Sequence, residues 1–143
     1  MLLNVSYNNP EVKRKIIDAV GTPFTLRDRI KMGGIGSPKL FITTTSLEIH
    51  NLLTLDSYVN TCNIEMRPNG ILVGFRSLLE SYVLVIPYWK LNLYKGKAEE
   101  YSIYRDHYFI KIKARPKDKS IHKFMKKILN YKADQNPTTV EDL

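Results

Sequence analysis

Between residues 58 and 115 the chain is a run of short segments in which apolar side chains alternate with polar ones, separated by turn residues. This punctuation constrains the fold more than any other feature. An apolar side chain at every second position is the period of a strand, and turns this closely spaced leave no room for crossover helices, so successive strands must pair antiparallel. Tyr58, Cys62, Ile64 and Met66 share one face up to "RPNG", Arg67 to Gly70, a Pro-Asn-Gly turn of the kind that closes hairpins. Ile71, Val73 and Phe75 start the return strand. "YVLVIPYWKLNLY" is apolar on both faces through Ile86, as in a strand covered on each side, and Pro87, which has no N–H, predicts a bend or bulge there. "KGK", Lys95 to Lys97, marks the next turn and "EEYSIYR" the next strand. "DH" is a tight reversal, and "YFIKIKAR" sets Tyr108, Ile110, Ile112 and Ala114 opposite Lys111, Lys113 and Arg115. About five consecutive antiparallel strands are expected, running straight into a helix.

That helix lies in "KDKSIHKFMKKILNYK", Lys117 to Lys132, with Asp118 or Ser120 as its cap. Ile121, Phe124, Met125, Ile128 and Leu129 fall at helical spacing on one face, and six lysines occupy the rest of the stretch. From Lys111 to Lys132 nine basic residues stand against one acid, Asp118, so this segment carries the whole net charge of +8 and the remainder is neutral. The tail 133–143, with a proline and few apolar residues, is expected to be flexible.

The first half, up to a change of character near Asp56, is less regular. Leu2 to Tyr7 suits a short strand, and Asn9, Pro10 and Gly21 bracket a helix over about 10–20 with Val12, Ile16, Ala19 and Val20 on one face. In "PFTLRDRIKM" the alternation of Phe24, Leu26, Ile30 and Met32 favours a strand, although Thr25 and Asp28 also match a capping box. "GGIGSP", Gly33 to Pro38, reads as a loop, and "KLFITTTSLEI" after it is rich in β-branched residues.

At 143 residues and 43% apolar composition, one domain over 1–132 with one sizeable core is expected. No apolar run approaches the ~18 residues of a membrane span, and the start has no signal-peptide pattern, so a soluble, cytoplasmic protein is expected, at most peripheral at the membrane. The single cysteine, Cys62, excludes an internal disulfide and leaves no Cys/His cluster for zinc, so neither cofactor nor metal is expected.

A meander of strands with a Pro-Asn-Gly hairpin, the "IPYWKL" step, two further strands and one amphipathic C-terminal helix resembles the bacterial pleckstrin-homology-like and GRAM-like domains, over Tyr58 to Lys132. The resemblance implies a mainly β (α+β) fold, a bent, partly open antiparallel barrel capped by the C-terminal helix, here with one extra N-terminal helix. It also implies a non-catalytic binding module. Within that superfold, inositol phosphates are usually held by several basic residues around the first hairpin. "RPNGILVGFR" offers only Arg67 and Arg76, so specific phosphoinositide recognition is not expected.

The residues give no catalytic signature. His50, His107 and His122 form no pair at ligand spacing on a helix, and no nearby carboxylate orients any of them along the chain. Glu99 and Glu100 are neighbours on an alternating strand and point opposite ways, Cys62 reads as a small buried hydrophobe, and "GGIGSPK" lacks the spacing of either phosphate-loop template. What is left to act with is charge. Lys119, Lys123, Lys126 and Lys127, joined by Lys111 and Lys113 from the preceding strand, are the candidate anionic-partner residues. The apolar stripe of the helix is needed for the core, so the lysines would act as peripheral charge toward a protein partner or an anionic membrane. Nucleic acid, with the exposed tyrosines as stacking platforms, is the alternative partner.

Overall fold

A computed structural model describes residues 1–55, 60–96 and 99–135. The elements are β1 (Leu2–Asn4), α1 (Pro10–Val20), α2 (Leu26–Met32), β2 (Leu40–Thr45), α3 (Leu47–Leu53), β3 (Thr61–Arg67), β4 (Gly70–Ser77) and β5 (Glu80–Pro87), then a 3-10 turn (Tyr88–Lys90), β6 (Asn92–Lys95), β7 (Glu100–Arg105), β8 (Tyr108–Lys113) and α4 (Lys119–Gln135). The strands form one open sheet of eight, in the order β1-β5-β4-β3-β2-β8-β7-β6. Neighbours pair antiparallel throughout.

The alternation of β3 and β4 reappears as burial. Cys62, Ile64 and Met66 point inward, opposite Ile71, Val73 and Phe75; Tyr58 lies outside the described residues. Pro68 and Asn69 close this hairpin, but Gly70 is not there for a left-handed turn, since its φ is not positive. A Cβ on Gly70 would stand 2.5 Å from Val20 Cγ1 and 2.8 Å from Pro87 Cα, so the glycine lets the end of α1 press onto the strand pair.

β5 is covered on both faces. Leu84 and Ile86 enter the main core, while Val83 and Val85 lie under α1, which seals a second cluster with Ile16, Val20 and Leu72. Pro87 does more than bend this strand. It ends β5, and the 3-10 turn behind it sends the chain to the other side of the sheet, where β6 pairs with β7 rather than β5. The segment expected as one strand is therefore two, and the meander holds six strands where five were expected. β2, with a bulge between Ile42 and Thr44, pairs with both β3 and β8 and joins the two halves over one core. On the far side the Arg105 guanidinium of β7 donates to the Val85 carbonyl of β5.

α4 lies over that core with Ile121, Phe124, Met125 and Ile128 buried. Leu129, placed on the same stripe by its spacing, is 41% exposed instead. At ~100° per residue it lies at the margin of the stripe, beyond the reach of the sheet. The helix continues through Gln135, past the start of the expected tail, and 136–143 lie outside the described residues.

The strand expected over Phe24 to Met32 is a helix. Thr25 Oγ1 accepts from the Asp28 N–H at 3.3 Å and Gly33, at φ 73°, closes the other end, so the capping chemistry prevails over the alternation. None of the residues of α2 is buried. The glycine loop after it is fastened rather than loose: Ile35 is buried, its carbonyl accepts from Met66 N–H at 2.8 Å, and Ser37 N–H donates to the Ile64 carbonyl at 2.9 Å.

Candidate anionic-partner interface

The helical period puts Lys119, Lys123, Lys126 and Lys127 on one side of α4, opposite its buried residues. Lys123, Lys126 and Lys127 line a shallow groove of about 360 Å³ with Asn130, Tyr131, Asp134 and Met32, so the groove runs between α4 and α2. Lys127 is engaged there. Its Nζ donates to the carbonyls of Gly33 (3.3 Å) and Gly34 (3.1 Å), the C-terminal end of α2. A cation on those carbonyls satisfies acceptors that the helix cannot, and it complements the negative end of the helix dipole. The glycine loop thus offers carbonyl oxygens to a cation, the opposite polarity from a loop that cradles phosphate.

Lys111 and Lys113 are not in this groove. Lys111 Nζ sits 5.8 Å from the Phe109 ring centroid on β8. Lys113 lines a separate groove of about 200 Å³ with Lys39, Phe41, Arg115, Asp118 and Ser120 at the start of α4. Asp118 turns back to accept from the Arg115 N–H at 2.9 Å, and that bond, followed by the Arg115 side chain, holds its carboxyl below the usual value. Lys39 also borders a cup of about 370 Å³ on β3 and β4, with Asn60, Asn63, Gly74 and Arg76. Lys39 and Arg76 reach these sites only through pairing between distant strands, a proximity no local spacing reveals.

The histidines are better connected than the sequence suggests. His107 Nε2 lies 3.0 Å from Glu48 Oε1, and Tyr108 Oη donates to Glu48 Oε2 at 2.9 Å, so a carboxylate on α3, remote along the chain, does orient His107. These bonds, that of Tyr108 first, hold the Glu48 carboxyl below its usual value, in an exposed cluster. His122, which stands among the lysines of α4, is half-buried. Its Nε2 meets the Arg115 carbonyl at 2.8 Å and must donate to it, while Nδ1 meets Tyr101 Oη at 2.8 Å. It tethers the β8–α4 connection. Cys62 is buried on β3, and burial pushes its thiol up to about 12. Glu99 precedes β7 with a left-handed φ of 56°, and Glu100 accepts from Thr43 on β2.

Among the described residues, no helix is long and apolar enough to cross a membrane, and no cluster of three His, Cys, Asp or Glu side chains forms a metal-binding group. No protein-family model, curated protein or solved structure matches the chain.

Proposed function

We propose that this chain is a non-catalytic binding module of pleckstrin-homology-like type that docks onto an anionic partner through the basic side of α4. The observation that carries this reading is the convergence of Lys123, Lys126 and Lys127 on one groove shared with α2. Lysines spread over open solvent would serve solubility equally well; gathered at a groove edge they sum their potential over one docking site. The architecture supports the family reading. The run from β2 to β8 has its first strand paired with its last, and the final helix covers the core the two halves share. The aromatic ring in the groove, Tyr131, is held 6.0 Å from Phe24 and 5.4 Å from Tyr88 rather than left free to stack bases, which weighs against nucleic acid at this groove.

Co-sedimentation with phosphatidylcholine vesicles, with and without phosphatidylserine, tests the reading. Retention should require the anionic lipid, weaken between about 50 and 200 mM salt, and fall in Lys123→Glu/Lys126→Glu. Lys127 is left intact in that variant because it also fastens α2. Equal retention of variant and wild type would remove the basic side of α4 as the docking surface.

A further inference from the structure

The apolar stripe of α4 is committed to the core, so a basic helix that docks by charge alone has nothing with which to enter a bilayer. The neighbouring helix does. In α2, Leu26 and Ile30 are each 72% exposed and stand one turn apart on the same side. Met32, about 120° from Leu26 and about 160° from Ile30 around the helix, is the residue that turns to the groove and packs against the core. Arg27 and Lys31 flank the stripe on one side and Arg29 on the other, with Asp28 the only acid in the helix. Across the groove stand Lys123 and Lys126. An outward apolar pair bordered by cations on both helices is what a surface-lying membrane helix presents: side chains for the hydrocarbon boundary and charge for the anionic headgroups around them. The other exposed leucines at a turn, Leu78 and Leu79, have a single cation nearby in sequence, Arg76, and lack such a surround.

We infer that α2 is the membrane-inserting element of this protein, with Leu26 and Ile30 entering the interface of an anionic bilayer while Arg27, Arg29, Lys31, Lys123 and Lys126 bind the headgroups. The inference rests on the docking reading above and assigns its partner. Charge complementarity selects an anionic bilayer over a neutral apolar protein groove, because five cations around two apolar side chains would be stranded in the latter.

The test compares wild type with Leu26→Ser/Ile30→Ser on two probes. Phosphatidylserine-containing vesicles offer charge and hydrocarbon; heparin offers charge alone. The expected result is a vesicle affinity lower by roughly 10- to 50-fold, from the partial burial of two large apolar side chains, with heparin affinity unchanged. Equal vesicle affinity of the two proteins overturns the inference. So does failure of wild type to bind vesicles, in which case lysine-dependent heparin binding still upholds docking by the basic side. Loss of both affinities in the serine variant overturns insertion too and assigns α2 to presenting charge. A second measurement guards against a misfolded variant: Leu26→Cys carrying an environment-sensitive dye, with Cys62 only 4% exposed and so shielded from labelling. Its emission should shift to the blue on anionic vesicles and not on heparin, and an unshifted emission on bound vesicles overturns the inference.

Discussion

Replacing Gly70 by alanine sets a Cβ 2.5 Å from Val20 Cγ1 and 2.8 Å from Pro87 Cα, where side-chain carbons do not approach below about 3.0 Å, and presses on the Ile86 carbonyl as well. Two of these neighbours are backbone of the paired strand β5, and the third is a fully buried side chain of α1, so none can swing aside. Either the hairpin or the end of α1 must shift. Overpacking of this kind costs about 1–3 kcal/mol. If α1 lifts, part of the burial of Ile16 and Val20 is lost too, at up to ~1.5–3 kcal/mol per side chain, so a loss of about 2–4 kcal/mol is expected. Urea unfolding followed by far-ultraviolet circular dichroism, with a slope of about 1–3 kcal/mol/M, should place the midpoint roughly 1–2 M lower. Two other glycines separate steric approach from backbone conformation. Gly36 has open space at its Cβ and no positive φ, so Gly36→Ala should be neutral or gain up to about 1 kcal/mol by restricting the unfolded chain. Gly33 is left-handed at φ 73° with room around it, so Gly33→Ala should cost about 1 kcal/mol through strain. A Gly70→Ala midpoint equal to that of wild type would refute the close-approach argument.

Lys127→Ala removes the cation from the carbonyls of Gly33 and Gly34 and should destabilise by no more than about 1 kcal/mol, with faster amide exchange confined to α2 as its signature. His122→Ala leaves the half-buried Tyr101 hydroxyl and the Arg115 carbonyl without their shared partner and should cost about 1–3 kcal/mol by denaturant unfolding. Tyr108→Phe should raise the Glu48 carboxyl back toward its ordinary value of 4.5, read by NMR titration. Because the folded-state value is depressed, the stabilisation from this cluster is complete above the ordinary value and disappears as pH falls through the depressed one. The substitution should therefore flatten that part of the acid limb of stability.

β3 and β8 were legible because one face of each is wetter while the other enters the core, so a period of two survives in the letters; β5, covered on both faces, was legible instead as an unbroken apolar run. The same rule misled at α2. Its three apolar residues do not share a buried side; Leu26 and Ile30 point outward and Met32 inward, so together with Phe24, just before the helix, they mimic strand alternation. Only the Thr25–Asp28 cap and Gly33 carried the true signal. Pro87 was legible as an interruption, but its size was not, because the turn that follows depends on Tyr88 N–H finding the Asn69 carbonyl at 3.0 Å in the neighbouring hairpin. On α4 the lysines were visible from their spacing. Their setting was not, since Met32, Gly33 and Gly34 lie some ninety residues earlier. The pairing of His107 with Glu48, separated by 59 positions, was invisible for the same reason.

The edges of the open sheet carry one more consequence. β5 is eight residues long and apolar on both faces, the kind of strand that recruits another chain when its side is bare. The three residues of β1 occupy that side, with Leu2, Leu3 and Asn4 set against Leu84, Val83 and Tyr82. The opposite edge, β6, is only four residues long and ends on Lys95. β1 therefore stands as a guard against self-association, and a version trimmed to begin at α1 would lose the packing of Leu2 and Leu3 against the core clusters and gain an adhesive flank.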